Sequence, residues 1–170
     1  MPAQPRLSGV LAEGQYRAEV PKGAAEGHRR TEPVINVARD SSAYTRVGGA
    51  LTQKMGIEVL ELTAAHSVAR MPVEGNTQPL GLLHGGAHLV LAETLGSLSA
   101  AVHAGPGHYP VGIEIGASHT GSVREGWVIG TCDAIALGRT LVTHEVVIRD
   151  EAGRRLSTVR ITNLIREVRE

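Results

Sequence analysis

Between Gln78 and Ser97 the chain reads QPLGLLHGGAHLVLAETLGS, and Glu93 is the lone carboxylate in that run. Counting from Gly86 at about 100° per residue, Glu93 returns to the same helical face, and Ser97 lies one turn further along it. An acid, a hydroxyl and a glycine-rich helix start would then share one stripe. The Gly85-Gly86 pair offers backbone N–H groups with no side chain in the way. The first amides of a helix are unpaired and sit at the positive end of its dipole, so they can hold a developing oxyanion. With a carboxylate to attack or to activate water, this set of groups suits acyl chemistry. The bland alternative makes Glu93 one half of an ion pair with an arginine across a subunit contact. The cost of burying an isolated charge weighs against that alternative inside so apolar a helix.

These groups need a scaffold, and the flanking periodicity suggests one. KMGIEVLEL and AHSVARMPV alternate apolar and polar residues around a tight break, which predicts a hairpin. PVEGNTQP, Pro72 to Pro79, reads as a loop. From Gly86 to about Val102 no proline interrupts a run too long for an ordinary strand, so a helix is expected, apolar on nearly every side and therefore buried. VGIEIGASHT, WVIGTCDAIAL, TLVTHEVVIRD and RLSTVRITNLIR follow as four strands in a meander, divided by GSVREG, GR and EAG. An α+β domain results, with a curved antiparallel sheet wrapped around one long helix. Residues 1–45, rich in Pro, Gly, Arg and Glu, read as a partly mobile extension with a hint of order only at Val34 to Val37, and residues 46–170 as the domain.

Composition narrows the partners. Lys plus Arg and Asp plus Glu stand at 17 each, so no charge bias points to nucleic acid or an anionic membrane. With no Phe, three Tyr and one Trp, base-stacking platforms are not expected. A single cysteine, Cys132, excludes an internal disulfide and a multi-cysteine zinc site, and a reducing cytoplasm is the expected home. Neither a membrane span nor a secretion signal is expected from the apolar runs.

The stretch LLHGGAHLVLAETLGSLSA resembles the HGG-helix segment of the hotdog-fold acyl-CoA thioesterases. The nearer likeness is to the branch with the phenylacetate-pathway thioesterase and the glutamate-using 4-hydroxybenzoyl-CoA thioesterase. It covers about Thr52 to Arg166, with GASHTGSVREGWVIGTCDAIALGRT and VVIRDEAGRRLSTVRITNLI also similar to that family. The resemblance implies hydrolysis of a small acyl- or aryl-CoA thioester to free acid and CoA, with no cofactor and no metal. Glu93 would be nucleophile or general base, and the Gly85 amide would face the thioester oxygen. His84 would steady the loop, Gln78 would approach the thioester, and Ser97 would help place water or the acid. Arg124, Arg139 and Thr140 match positions that hold the CoA phosphates, a task suited to the arginine fork. His119 would line the pantetheine mouth, and Gly86 would belong to the substrate-binding turn. The resemblance also implies a homodimer or dimer of dimers, with Glu93 and its Gly85 amide from opposite subunits.

Three other readings compete. His84 and His88 have i, i+4 spacing that can present two imidazoles to zinc, but His84 falls in the loop and no Glu follows it. A hotdog 3-hydroxyacyl-thioester dehydratase or hydratase would use a histidine and an acid for proton transfer at carbon. A non-catalytic acyl-CoA sensor would keep the pocket without turnover, usually beside a DNA-binding segment that is not found here. His28, His66, His103, His108 and His144 are scattered and read as surface or turn residues.

Overall fold

His84 starts the long helix. Its backbone is extended (φ −66°, ψ 134°) and its ring Nδ1 accepts the Gly86 N–H, which satisfies one of the amides that every helix start leaves open. Helix α2 runs Gly85–Ala104, and Gly105, at φ 70°, ends it just before Pro106. The computed structural model describes residues 49–168, and the expected extension over residues 1–45 lies outside them. Before α2 come a short helix α1 (Gly49–Lys54) and the strands β1 (Glu58–Leu62) and β2 (His66–Pro72). After it come β3 (His108–His119), β4 (Trp127–Leu137), β5 (Leu141–Asp150) and β6 (Arg155–Glu167). Helix α1 has no counterpart among the elements expected from the sequence.

All six strands join one antiparallel sheet in the order β1-β2-β4-β5-β6-β3. This corrects the expected four-strand meander: only β4, β5 and β6 follow one another, while β3 lies at the far edge beside β6. The seven-residue stretch Thr120–Gly126 returns the chain across the sheet to β2, whereas the breaks after β4 and β5 are tight turns between neighbours. Four of the five strand pairs carry a register shift, each a place where the sheet bends and twists locally.

The helix buries Ala87, His88, Leu91, Ala92, Leu95, Gly96, Ser99 and Ala100 against that sheet, a stripe at helical spacing. Two glycines allow the close approach. A Cβ on Gly96 would run into Ile161, and one on Gly130 would lie 3.1 Å from Leu95 and 3.3 Å from Leu91. The expectation of a helix covered on every side is corrected here. Leu89, Val90 and Leu98 are only half-buried and Glu93 is exposed, because the sheet of one chain covers one face alone. At the sheet edge, β3 is exposed over most of its twelve residues, including Tyr109, Val111 and Ile113. Among the described residues no helix is long and apolar enough to cross a membrane.

Candidate active site

Two acceptors on His84 take two of the three amides at the start of α2. Gly86 N–H goes to the His84 ring at 2.8 Å, and Ala87 N–H to the His84 carbonyl at 2.9 Å. Gly85 N–H meets no acceptor among the described residues. The pair of open amides expected from the two glycines therefore narrows to one, and Gly86 serves as the anchor of the cap. His84 itself is pinned, since its own N–H donates to the Asn76 carbonyl at 2.9 Å.

A second wall of this corner comes from β3 and β6. The His119 ring lies over Gly85, its Nε2 3.1 Å from where a Cβ on that glycine would stand. Only glycine fits. His119 Nδ1 is 2.7 Å from Ser157 Oγ, which in turn lies 2.8 Å from Nδ1 of the buried His88. The two imidazoles meet edge to face at 5.2 Å. Burial first, and the neighbouring His119 second, push the His88 pKa down to about 4, so it is neutral at physiological pH. His84 and His88 do not form a metal pair: one ring caps Gly86 and the other bonds Ser157. Among the described residues no group of three or more His, Cys, Asp or Glu side chains could hold a metal ion.

Glu93 lies further along α2, where it lines two open cavities. One, of about 270 Å³, is shared with Leu51, Thr52, Val90, Thr94, Ser97 and Leu98. The other, of about 240 Å³, lies against Gly112, Ile113, Glu114, Ile115 and Ile161. The carboxylate makes no ion pair with any described residue. Ser97, one turn on, donates at 3.3 Å to Oδ1 of the fully buried Asn163. The structure thus brings Glu93 and Ser97 together as the helical count required. Gly85 stands apart, eight residues back along the helix, a rise of about 12 Å.

Gln78 is half-buried and uses its side-chain oxygen locally, accepting the Leu80 N–H at 2.7 Å, so it shapes the loop that enters α2. Arg124 fastens the same loop, donating to the Leu80 carbonyl at 2.7 Å. Arg139 and Thr140 occupy the exposed β4–β5 turn, near the C-terminal end of α2, where His103 Nε2 bonds the Gly138 carbonyl at 3.1 Å. The length of β4, roughly 30 Å, separates Arg124 from Arg139, so one chain does not bring the two arginines to one phosphate cluster.

Comparison with known proteins agrees with this architecture. The family model described as thioesterase superfamily matches residues 80–157. A proofreading thioesterase EntH from Cronobacter turicensis is 45% identical over 118 residues, covering 69% of this chain and 86% of that protein. The chain belongs to the thioesterase superfamily. A thioesterase from Haemophilus influenzae superposes with a TM-score of 0.71 at 32% identity, over 75% of this chain and 90% of that one. A hypothetical thioesterase protein from Streptococcus pneumoniae, solved with coenzyme A, shares the fold, with a TM-score of 0.62 at 18% identity over 71% of this chain and 94% of that one. The expected hotdog fold and thioester hydrolysis are thereby established for this thioesterase.

Sequence reasoning passed over Ser157 and Asn163. Both are polar side chains in the inward register of β6, where they flank Val159 and Ile161. A polar residue at an inward position of an alternating strand is the signal that could have found them.

Proposed function

We propose that this thioesterase hydrolyses a small acyl- or aryl-CoA thioester to the free acid and CoA in a site shared by two copies of the chain. The observation that carries the reading is an amide at Gly85 with no acceptor among the described residues, together with an exposed Glu93 that makes no ion pair with any of them, about 12 Å along the same helix. A thioester carbonyl cannot touch both at hydrogen-bond range within one chain. A second copy, paired through the exposed β3 edge, would bring its Glu93 to the first copy's Gly85. Dimers of such dimers follow the same logic with other faces.

In this site the Gly85 N–H polarises the thioester carbonyl. Glu93 then either attacks the carbonyl carbon to give an anhydride, which water opens, or takes a proton from the attacking water. In both routes the C–S bond breaks, and CoA leaves as a thiolate that picks up a proton. Ser97 places the water or the acid, His84 holds the turn through Gly86, and Gln78 shapes the loop that approaches the thioester. Arg124 from one copy and Arg139 with Thr140 from the other hold the CoA phosphates, and His119 lies where pantetheine meets Gly85. The coenzyme in the Streptococcus pneumoniae protein of the same fold supports CoA as the carrier. The mechanism draws on glutamate chemistry, as in the phenylacetate-pathway and glutamate-using 4-hydroxybenzoyl-CoA branch, and requires no cofactor. The buried free thiol of Cys132 suits a reducing cytoplasm. A dehydratase would need His84 to move a proton at carbon, and its Nδ1 is engaged by Gly86.

The test is CoA release followed with a thiol-reactive dye over short, medium, long-chain and aryl-CoA thioesters, for wild type and Glu93→Gln. Turnover that prefers one class and vanishes in the variant is the expected result. A folded, CoA-binding protein that releases CoA from none of them would instead be a sensor.

A further inference from the structure

On one side of Glu93 the cavity of about 270 Å³ is lined by α2, with Val90 and Leu98 as its apolar members, and by Leu51 and Thr52 of α1. We propose that α1 is the wall that limits the length of the acyl group, through Leu51, and that Asn76 is the positioning residue that holds this wall in place. This inference rests on the reading of Glu93 as the group that acts on a CoA thioester.

An acyl group whose carbonyl carbon lies at Glu93 has two ways to leave the helix surface. Toward β3 it enters the cavity of about 240 Å³, where Glu114 sets a second carboxylate beside Glu93. That side is also the strand edge along which the second copy pairs, so protein takes it. Toward α1 the lining holds three apolar side chains, two threonines and Ser97, with Glu93 as the one charged residue. An apolar chain is accepted there and not beside a second charge.

The wall does not hold itself. A helix of six residues is too short to be stable alone in water. Thr52 is buried, and Met55, just past the end of α1, packs on the core. The chain then turns at Gly56, with φ 67°, where a Cβ would lie 3.0 Å from Pro72 Cγ. At this turn Asn76 gives both hydrogens of its side-chain amide, one to the Met55 carbonyl and one to the Pro72 carbonyl, each at 2.9 Å. Its backbone carbonyl takes the His84 N–H at 2.9 Å. One residue thus ties the end of α1 to the end of β2 and to the cap that precedes Gly85. The distance from the oxygen seat to the far wall of the cavity is set through Asn76.

Equilibrium binding of S-alkyl-CoA thioethers, from ethyl to decyl, reads the wall without turnover. In the wild type, affinity should rise about fourfold for each methylene that is buried until the chain meets Leu51. Past that length, forcing more atoms against the wall should weaken binding about tenfold or more. Aspartate keeps the shape of Asn76 but has no hydrogen for the two carbonyls. Asn76→Asp should bring that drop to within about threefold, and Asn76→Ser, with one hydrogen to give, should lie between. Leu51 is 55% exposed, so Leu51→Ala folds, and it should move the break to longer chains. Adding Asn76→Asp to Leu51→Ala should change the profile by less than about twofold, because the two act on one wall. A profile in Asn76→Asp or Asn76→Ser that keeps the wild-type break would overturn the proposal, as would an equal loss of affinity at every length. So would a wild type whose affinity climbs through the whole series or that binds none of it. If Glu93→Gln keeps full turnover, the catalytic reading fails, and the binding profiles still decide the wall.

Discussion

The two ends of helix α2 each bury a histidine, and they differ in what the histidine is connected to. At the N-terminal end His88 bonds Ser157, and through it reaches the exposed His119 beside an open amide. Toward the C-terminal end His144, on β5, is fully buried, with Nε2 on the Ala64 carbonyl at 2.9 Å and Nδ1 without a hydrogen-bond partner among the described residues. Nearby, Ser67 Oγ and Ser99 Oγ lie 2.8 Å apart, beside Cys132. Burial pushes the Cys132 thiol up to about 12, so it remains protonated and inert. Both histidines are shifted downward, mainly by burial. Titration behaviour alone therefore does not distinguish them. The distinguishing property is whether the hydrogen-bond chain comes out at a surface with an unsatisfied group, and only the His88 end does so.

The largest effect that would test this contrast is a side chain at Gly85. Gly85→Ala keeps the amide but sets a methyl 3.1 Å from His119 Nε2, crowding the oxygen seat, and should lower kcat on the order of 10 to 10²-fold, with little change in the denaturant midpoint. Unchanged kcat in that variant would remove the His88 end from the chemistry and make the two ends equivalent. Acid stability tests what the ends have in common. A histidine whose folded pKa lies below its unfolded value of about 6.5 leaves the unfolded state binding more protons between the two values, so stability falls as pH drops through that window. For His88, with a folded pKa of about 4, the loss on going from pH 7.5 to pH 4 is about 3 kcal/mol, and His144 adds to it in the same direction. Urea unfolding at a series of pH values checks the slope, and a flat profile above pH 4 would mean that neither ring is held neutral by the fold. The smallest effect belongs to His144→Gln, which keeps an N–H for the Ala64 carbonyl. That variant should change stability by about 1 kcal/mol, weaken the acid dependence and leave kcat untouched. A fall in kcat would link the C-terminal end to the site after all.

Much of the architecture could be read before the fold was known, and the reasons are local. The alternation in β2 and β5, the length of α2 without proline, and the Gly105-Pro106 stop all act within a few residues. The place of β3 could not be read in the same way, since its pairing with β6 joins residues some forty to sixty positions apart and neighbouring strands in sequence offered a simpler partner. His144 was misread as a surface or turn residue: its polarity outweighed its inward position on β5, between the buried Val142 and Val146.

By itself the sequence determined the helix that carries Glu93 and Ser97 on one face, and the glycine at which an amide could be left open. Helical periodicity and the absence of a side chain are properties of the local chain, so residue types and spacing suffice for them. Tertiary structure alone decided that His84 claims the Gly86 amide while that of Gly85 meets no acceptor among the described residues, and that His119 from β3 meets His88 through Ser157 from β6. It also set Glu93 on the face that the sheet leaves open. Hydrogen-bond lines and exposed faces depend on distance and direction between elements far apart in the chain, and these exist only once the sheet has closed over the helix.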